Sequence, residues 1–155
     1  MSVRDFNPGD LLMSATTTND LPLQPSLALR IGLWTAQVLV FAMFTFSGVM
    51  KTFTPIKDLA PMMPWAGEYS VGFVRTIGLI DLAGGLGILL PSLTRIMPRL
   101  TVLAALGCAT LQVFAFVFHI SRGEGAVTPL NILLLALSLF VLWGRNGKAP
   151  IAPRG

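Results

Sequence analysis

Asp81 lies near the middle of an apolar stretch running from Val71 to Leu90, and it is the only acidic residue inside any such stretch of this chain. Burying a carboxylate there is expensive, so it must be protonated, paired with a cation, or turned toward a polar cavity. Arg75 stands six residues earlier. On a helix that separation is about 9 Å along the axis and about 120° around it. The two therefore do not stack on one face, but the long Arg75 side chain can reach a partner on another helix. Gln112 and His119 are seven residues apart, two helical turns, and share a face. Lys51 closes the first apolar stretch, Arg122 and Glu124 follow His119 closely, and Asn131 opens the last stretch. Three kinds of work suit these groups. Asp81 and His119 could exchange protons with a bound molecule. The set could hydrogen-bond the polar head of an amphipathic ligand such as a quinone. Or it could be a buried network of Arg75, Asp81, His119 and Glu124 that fixes helix register.

The elements that must position these residues are four apolar segments, Ile31 to Met50, Val71 to Leu90, Leu100 to Ile120, and Thr128 to Gly144. Each is about long enough to cross the ~30 Å hydrocarbon core of a bilayer as one helix. The expected fold is an all-α membrane protein, an antiparallel four-transmembrane-helix bundle. The short connections Pro91 to Pro98 and Ser121 to Val127 make consecutive helices antiparallel neighbours. Pro91 is expected to stop a helix and Pro98 to start one. The longer first connection, Thr52 to Ser70, carries Pro55, Pro61 and Pro64 with Met62, Met63 and Trp65, which suggests a segment lying at the outer surface. In the second span Gly78, Ala83, Gly84, Gly85 and Gly87 form a face almost without side chains, suited to close helix contact in lipid. Antiparallel helices would bring Gln112 level with Asp81 and His119 level with Arg75. The candidate ligand-binding residues are thus Lys51, Arg75, Asp81, Gln112, His119, Arg122 and Glu124, in the outer half of the bundle. No residue is assigned as catalytic or metal-binding.

Composition narrows the choice. Of 155 residues, 54% are apolar and 12% charged, which leaves no room for a separate soluble domain. The net charge of +4 is carried by residues at helix ends, so lipid headgroups and orientation account for it better than nucleic acid does. Nucleic-acid partners are not expected. The lone Cys108 cannot form an intramolecular disulfide and rules out a Cys-x-x-Cys thiol–disulfide chemistry, while a single histidine rules out a bis-histidine haem. No resident cofactor is expected beyond a bound quinone or lipid.

Residues 1–27 read as a flexible cytoplasmic tail, polar and turn-rich, without the layout of a cleavable signal peptide. Residues 28–146 form the bundle and 147–155 a cytoplasmic C-terminal tail. Arg4, Arg30, Arg95, Arg99, Arg145, Lys148 and Arg154 share one side, against Lys51, Lys57 and Arg122 on the other. The positive-inside rule then places both termini in the cytoplasm of a bacterial inner membrane, with Trp34 and Trp143 near the inner interface and Trp65 near the outer one.

From Phe46 to Arg145 the chain resembles the DoxX-like family of small four-helix membrane proteins. The resemblance rests on Ser47-Gly48-Val49-Met50-Lys51, on Arg75 through Pro91 with Asp81 and its glycines, on Ala104-Ala105, and on His119-Ile120-Ser121-Arg122-Gly123-Glu124. Where family members usually carry Glu, this chain has the shorter Asp81. The resemblance implies the four-helix fold and a link to redox complexes or membrane-protein assembly, without one established reaction. Three functional expectations follow. The first is an accessory subunit of a membrane complex, in contact with lipids and with other subunits or a second copy, supporting quinone-linked redox chemistry. The second is a stand-alone membrane oxidoreductase acting on a quinone-like substrate. The third, a small transporter, is disfavoured because four helices leave little room for alternating access.

Overall fold

Ser26 accepts a hydrogen bond from the Leu29 amide, and so caps the first long helix of a computed structural model that describes residues 24–154. Most of the expected N-terminal tail lies outside those residues. The described chain forms α1 (Leu27–Phe53), α2 (Ile56–Leu59), α3 (Trp65–Glu68), α4 (Val71–Thr94), α5 (Arg99–Ser121) and α6 (Thr128–Trp143). A 3₁₀ turn, Gly125–Val127, leads into α6, and a π turn, Gly144–Lys148, prolongs it. Among the described residues there is no strand, and four helices are long and apolar enough to cross a membrane. The protein is a multi-pass, all-α membrane protein.

The long helices close a ring, with α1 on α4, α4 on α5, α5 on α6, and α6 back on α1. Ala36, Val40, Phe44, Ile88, Ala105, Cys108, Leu134 and Val141 fill its centre. Leu103, Phe46 and Leu27 point outward and are more than half exposed. Apolar side chains on that face suit lipid, where packing rather than hydrophobic burial holds helices together.

Packing between α1 and α4 depends on glycine. A Cβ on Gly48 would come within 2.8 Å of the Gly78 carbonyl and the Leu82 amide, and one on Gly78 within 2.9 Å of the Thr52 amide. Gly85 meets Thr45 in the same seam, while Gly84 and Gly87 face Cys108 and Ala104 of α5. The four glycines of the small-residue face thus pack against two neighbouring helices, while Ala83, expected on the same face, is exposed.

Several boundaries differ from the sequence reading. α1 extends past Arg30 and Lys51 at its two ends, because long cationic side chains can stay in a helix while their charged ends reach polar surroundings. Pro91 does not stop α4. Its ring is buried inside the helix, and the chain turns only at Arg95, whose left-handed backbone (φ 58°) ends it. Proline costs one amide donor and a clash with the preceding turn, which a packed membrane helix tolerates. Pro98 does precede the first residue of α5. The first connection is not loose, since α2 and α3 fold back onto the bundle. Trp65 is therefore only 7% exposed rather than an interface ring, packed edge-on against Tyr69, Phe73 and Phe118 at 5.8–6.5 Å.

At the opposite end lies a polar pin that the sequence reading missed. Arg145, expected to be an exposed anchor, is 6% exposed and lies over the Trp34 ring at 5.0 Å. Its Nε donates to Gln37 Oε1 (2.8 Å) and its Nη1 to the Ala149 carbonyl (3.1 Å). Gln37 Nε2 donates in turn to the Ile88 carbonyl and to Ser92 Oγ, and Ser92 pairs with Thr101 Oγ1 at 2.8 Å. One chain of contacts thereby joins α1, α4, α5 and the end of α6. The segment after it runs beside the α4–α5 turn, where the Arg154 amide donates to the Arg95 carbonyl.

Candidate functional site: a cavity with an ion pair in its wall

Ser47 and Lys51 are four residues apart on α1, so their side chains project from one face, one turn from each other. Both meet Asp81 of α4. Lys51 Nζ lies 2.8 Å from Asp81 Oδ2 and 2.7 Å from Ser47 Oγ, and Ser47 Oγ donates to the same carboxylate oxygen at 3.0 Å. The ammonium also lies 5.8 Å from the centre of the Trp65 ring, within the range of a cation–π contact. Asp81 is 5% exposed, and its pairing is the kind a buried carboxylate requires. Of the two cations that could have held it, Lys51 does so. Arg75 instead donates from Nη1 to the Lys51 carbonyl at 2.5 Å, tying α4 to the end of α1.

This triad forms part of the wall of a cavity of about 620 Å³ between the long helices, capped by residues of the first connection. Such a volume is typical of sites for small organic molecules. Gln112 of α5 and Asn131 of α6 also face it. Each is 8% exposed, and Gln112 Oε1 and Asn131 Nδ2 have no hydrogen-bond partner among the described residues. The remaining wall is largely apolar, including Met43, Met62, Met63, Phe73, Phe114 and Phe118. A few polar groups set in an apolar wall favour a ligand with a polar head and an apolar body.

At the rim, His119 Nδ1 approaches Glu124 Oε2 at 2.5 Å. Arg122 Nε donates to Glu124 Oε1 at 2.8 Å, while its two terminal nitrogens grip Glu68 at 2.7 and 2.8 Å. This clip ties α3 in the first connection to the turn after α5. Hydrogen bonding to Arg122 holds the Glu68 and Glu124 carboxyls below the usual carboxylate value of 4.5, and the two carboxylates raise the Arg122 pKa.

Since both acids are depressed, the clip stabilises the closed connection above pH 4.5 and loses that contribution as pH falls below it. Limited proteolysis within residues 54–70 should accelerate as pH is lowered through that range. Arg122→Ala should show the fast rate already at neutral pH; equal rates for both proteins at all pH values would mean the clip does not restrain the connection.

The seven residues expected to form one site therefore separate into three groups. Lys51, Asp81 and Gln112 line the cavity together with His119. Arg122 and Glu124 form the rim clip with His119, and Arg75 braces the α1 backbone. No single network joins Arg75, Asp81, His119 and Glu124 among the described residues. Ser47, Asn131 and Glu68 were not among the candidate ligand-binding residues, although Asn131 stood out at the start of the last span. Ser47 was detectable from its four-residue spacing to Lys51, whereas Glu68 sits in an aperiodic, proline-rich connection that gives no such signal.

The family model described as the DoxX-like family matches residues 35–141. No curated protein and no solved structure matches the chain.

Proposed function

The chain belongs to the DoxX-like family, and from that premise we propose that it is an accessory subunit of a membrane complex that holds a quinone-like molecule in its cavity. The observation that carries this reading is the cavity wall itself, with a Lys51–Asp81 pair and two unpartnered amides among apolar side chains. An accessory role suits a chain with one cysteine and one histidine, too few for a bis-histidine haem or an iron–sulfur ligand set, so a partner would supply the electrons. The antiparallel helix order and the bacterial inner membrane belong to the same proposal. Arg95, Arg99, Arg145, Lys148 and Arg154 gather near the turn and tail at one end, which supports cytoplasmic termini and a cavity in the outer half. In a Cys108→Ala background, cysteines at 57 and 148 should label from opposite sides of intact membranes; labelling of position 148 from outside would overturn the orientation.

A second reading is a stand-alone oxidoreductase. It is favoured by His119, which faces the cavity while its Nδ1 is held by Glu124, an arrangement that fixes the ring as an acid or base requires.

Purification in mild detergent separates these readings. The expected result is a stoichiometric protein partner, with quinone recovered from the wild type but not from Ala115→Trp, in which the cavity-lining Ala115 of α5 is enlarged to fill the space. A homogeneous protein that turns over quinone alone would establish the enzyme instead. Equal quinone recovery from Ala115→Trp would remove the cavity from the proposal.

A further inference from the structure

Hydrogen-bonding capacity in the cavity wall discriminates between oxidation states of the proposed ligand. Asp81 receives both of its hydrogen bonds, from Ser47 and Lys51, on Oδ2. Its Oδ1 accepts none from the described residues. Gln112 makes no side-chain hydrogen bond among the described residues, so its amide offers an acceptor oxygen and a donor nitrogen whichever way it is turned. Asn131 likewise makes no side-chain hydrogen bond among the described residues, so it too offers a donor on Nδ2 and an acceptor on Oδ1. The wall therefore asks a ligand for donors at three positions as well as for acceptors.

A quinone head has carbonyl oxygens, which only accept. It can satisfy the Asn131 and Gln112 nitrogens but leaves both amide oxygens and Asp81 Oδ1 without a donor. Acceptors left unpaired in a water-poor site weaken binding substantially. A hydroxyl donates and accepts through one atom, so a dihydroxy ring can serve an amide or carboxylate oxygen and Asn131 together. The rings of Phe73, Phe118 and Trp65 in the wall suit a planar aromatic head. We propose that the cavity selects the reduced, dihydroxy form of its ligand, a quinol, over the corresponding quinone, with Gln112 as the specificity-determining residue. This inference rests on the cavity being a quinone-type site.

Calorimetric titration of the purified full-length protein with decyl-ubiquinol and with decyl-ubiquinone tests it. The quinol should bind at least about tenfold more tightly, because one lost buried hydrogen bond of this kind is worth about that factor. Gln112→Leu should reduce the ratio toward one, chiefly by weakening the quinol. Should that variant fail to fold, Gln112→Met keeps the side-chain length and serves the same comparison. Equal affinities of the wild type for both forms would overturn the selectivity while leaving the cavity as a ligand site, and a quinol preference undiminished by loss of the amide would overturn Gln112 as its determinant. Binding of neither form would overturn the proposed function itself, and the selectivity with it.

Discussion

Lys51→Met is expected to destabilise the bundle by about 3–5 kcal/mol, the usual cost of removing one partner from a buried ion pair. The magnitude follows from what remains. Asp81 is 5% exposed and would keep only the Ser47 hydroxyl as a donor to its carboxylate among the described residues. It must then stay ionised without a cation or take up a proton, and both are unfavourable relative to the native pair. The reciprocal change, Asp81→Asn, should be milder. Lys51 is at a helix end, with a side chain 13% exposed, and can swing toward water. Replacing both, as Lys51→Met with Asp81→Leu, should restore much of the loss, since no uncompensated charge remains. Thermal unfolding in detergent measures all three. A wild-type melting curve for Lys51→Met would show that Asp81 does not depend on the pair.

Adding a methyl group in the α1–α4 seam is expected to be nearly as damaging. Gly48→Ala and Gly78→Ala place a Cβ against backbone atoms, the Gly78 carbonyl and Leu82 amide in one case and the Thr52 amide in the other. Backbone cannot rotate away as a flexible side chain can, so the helices must separate. Overpacking of this kind costs about 1–3 kcal/mol. Here the separation also lengthens the Lys51–Asp81 contact, because Lys51 and Asp81 each stand three residues along α1 and α4 from Gly48 and Gly78. Gly107→Ala is the matched control, since a Cβ there meets nothing within 4 Å. Its stability should equal or slightly exceed that of the wild type, because alanine favours a helix interior. Equal melting temperatures for all three variants would show that the seam tolerates expansion.

The four spans were legible because absence of charge over a membrane-length stretch is a strong signal. The ends were not, because Arg30 and Lys51 look like boundaries in a sequence but sit inside α1. Pro91 misled for a related reason, since the rule that proline ends a helix is weaker where neighbouring helices hold the broken turn. In the site, Asp81 was conspicuous as the only acid in an apolar run, and its need for a cation followed from desolvation alone. Which cation it took was not legible. Six-residue spacing excluded direct stacking of Arg75 on Asp81, but the choice of Lys51 depends on how closely the Gly48–Gly78 contact brings α1 to α4. Gln37 was passed over and Arg145 read only as an anchor, because a glutamine in an apolar span and a basic residue at a span end have many roles, and only the packed structure shows them joined.

The Lys51–Asp81 pair also bears on how the chain enters a membrane. Its two halves belong to different spans, separated by the whole first connection. While α4 stands alone in lipid, Asp81 has no cation, and on insertion scales such a residue at a helix centre costs about 2.5–3.5 kcal/mol. Entry of α1 and α4 together, already joined along their glycine seam, removes that cost before either helix faces the bilayer by itself. The same contact that closes the finished cavity thus favours biogenesis in pairs over insertion one span at a time.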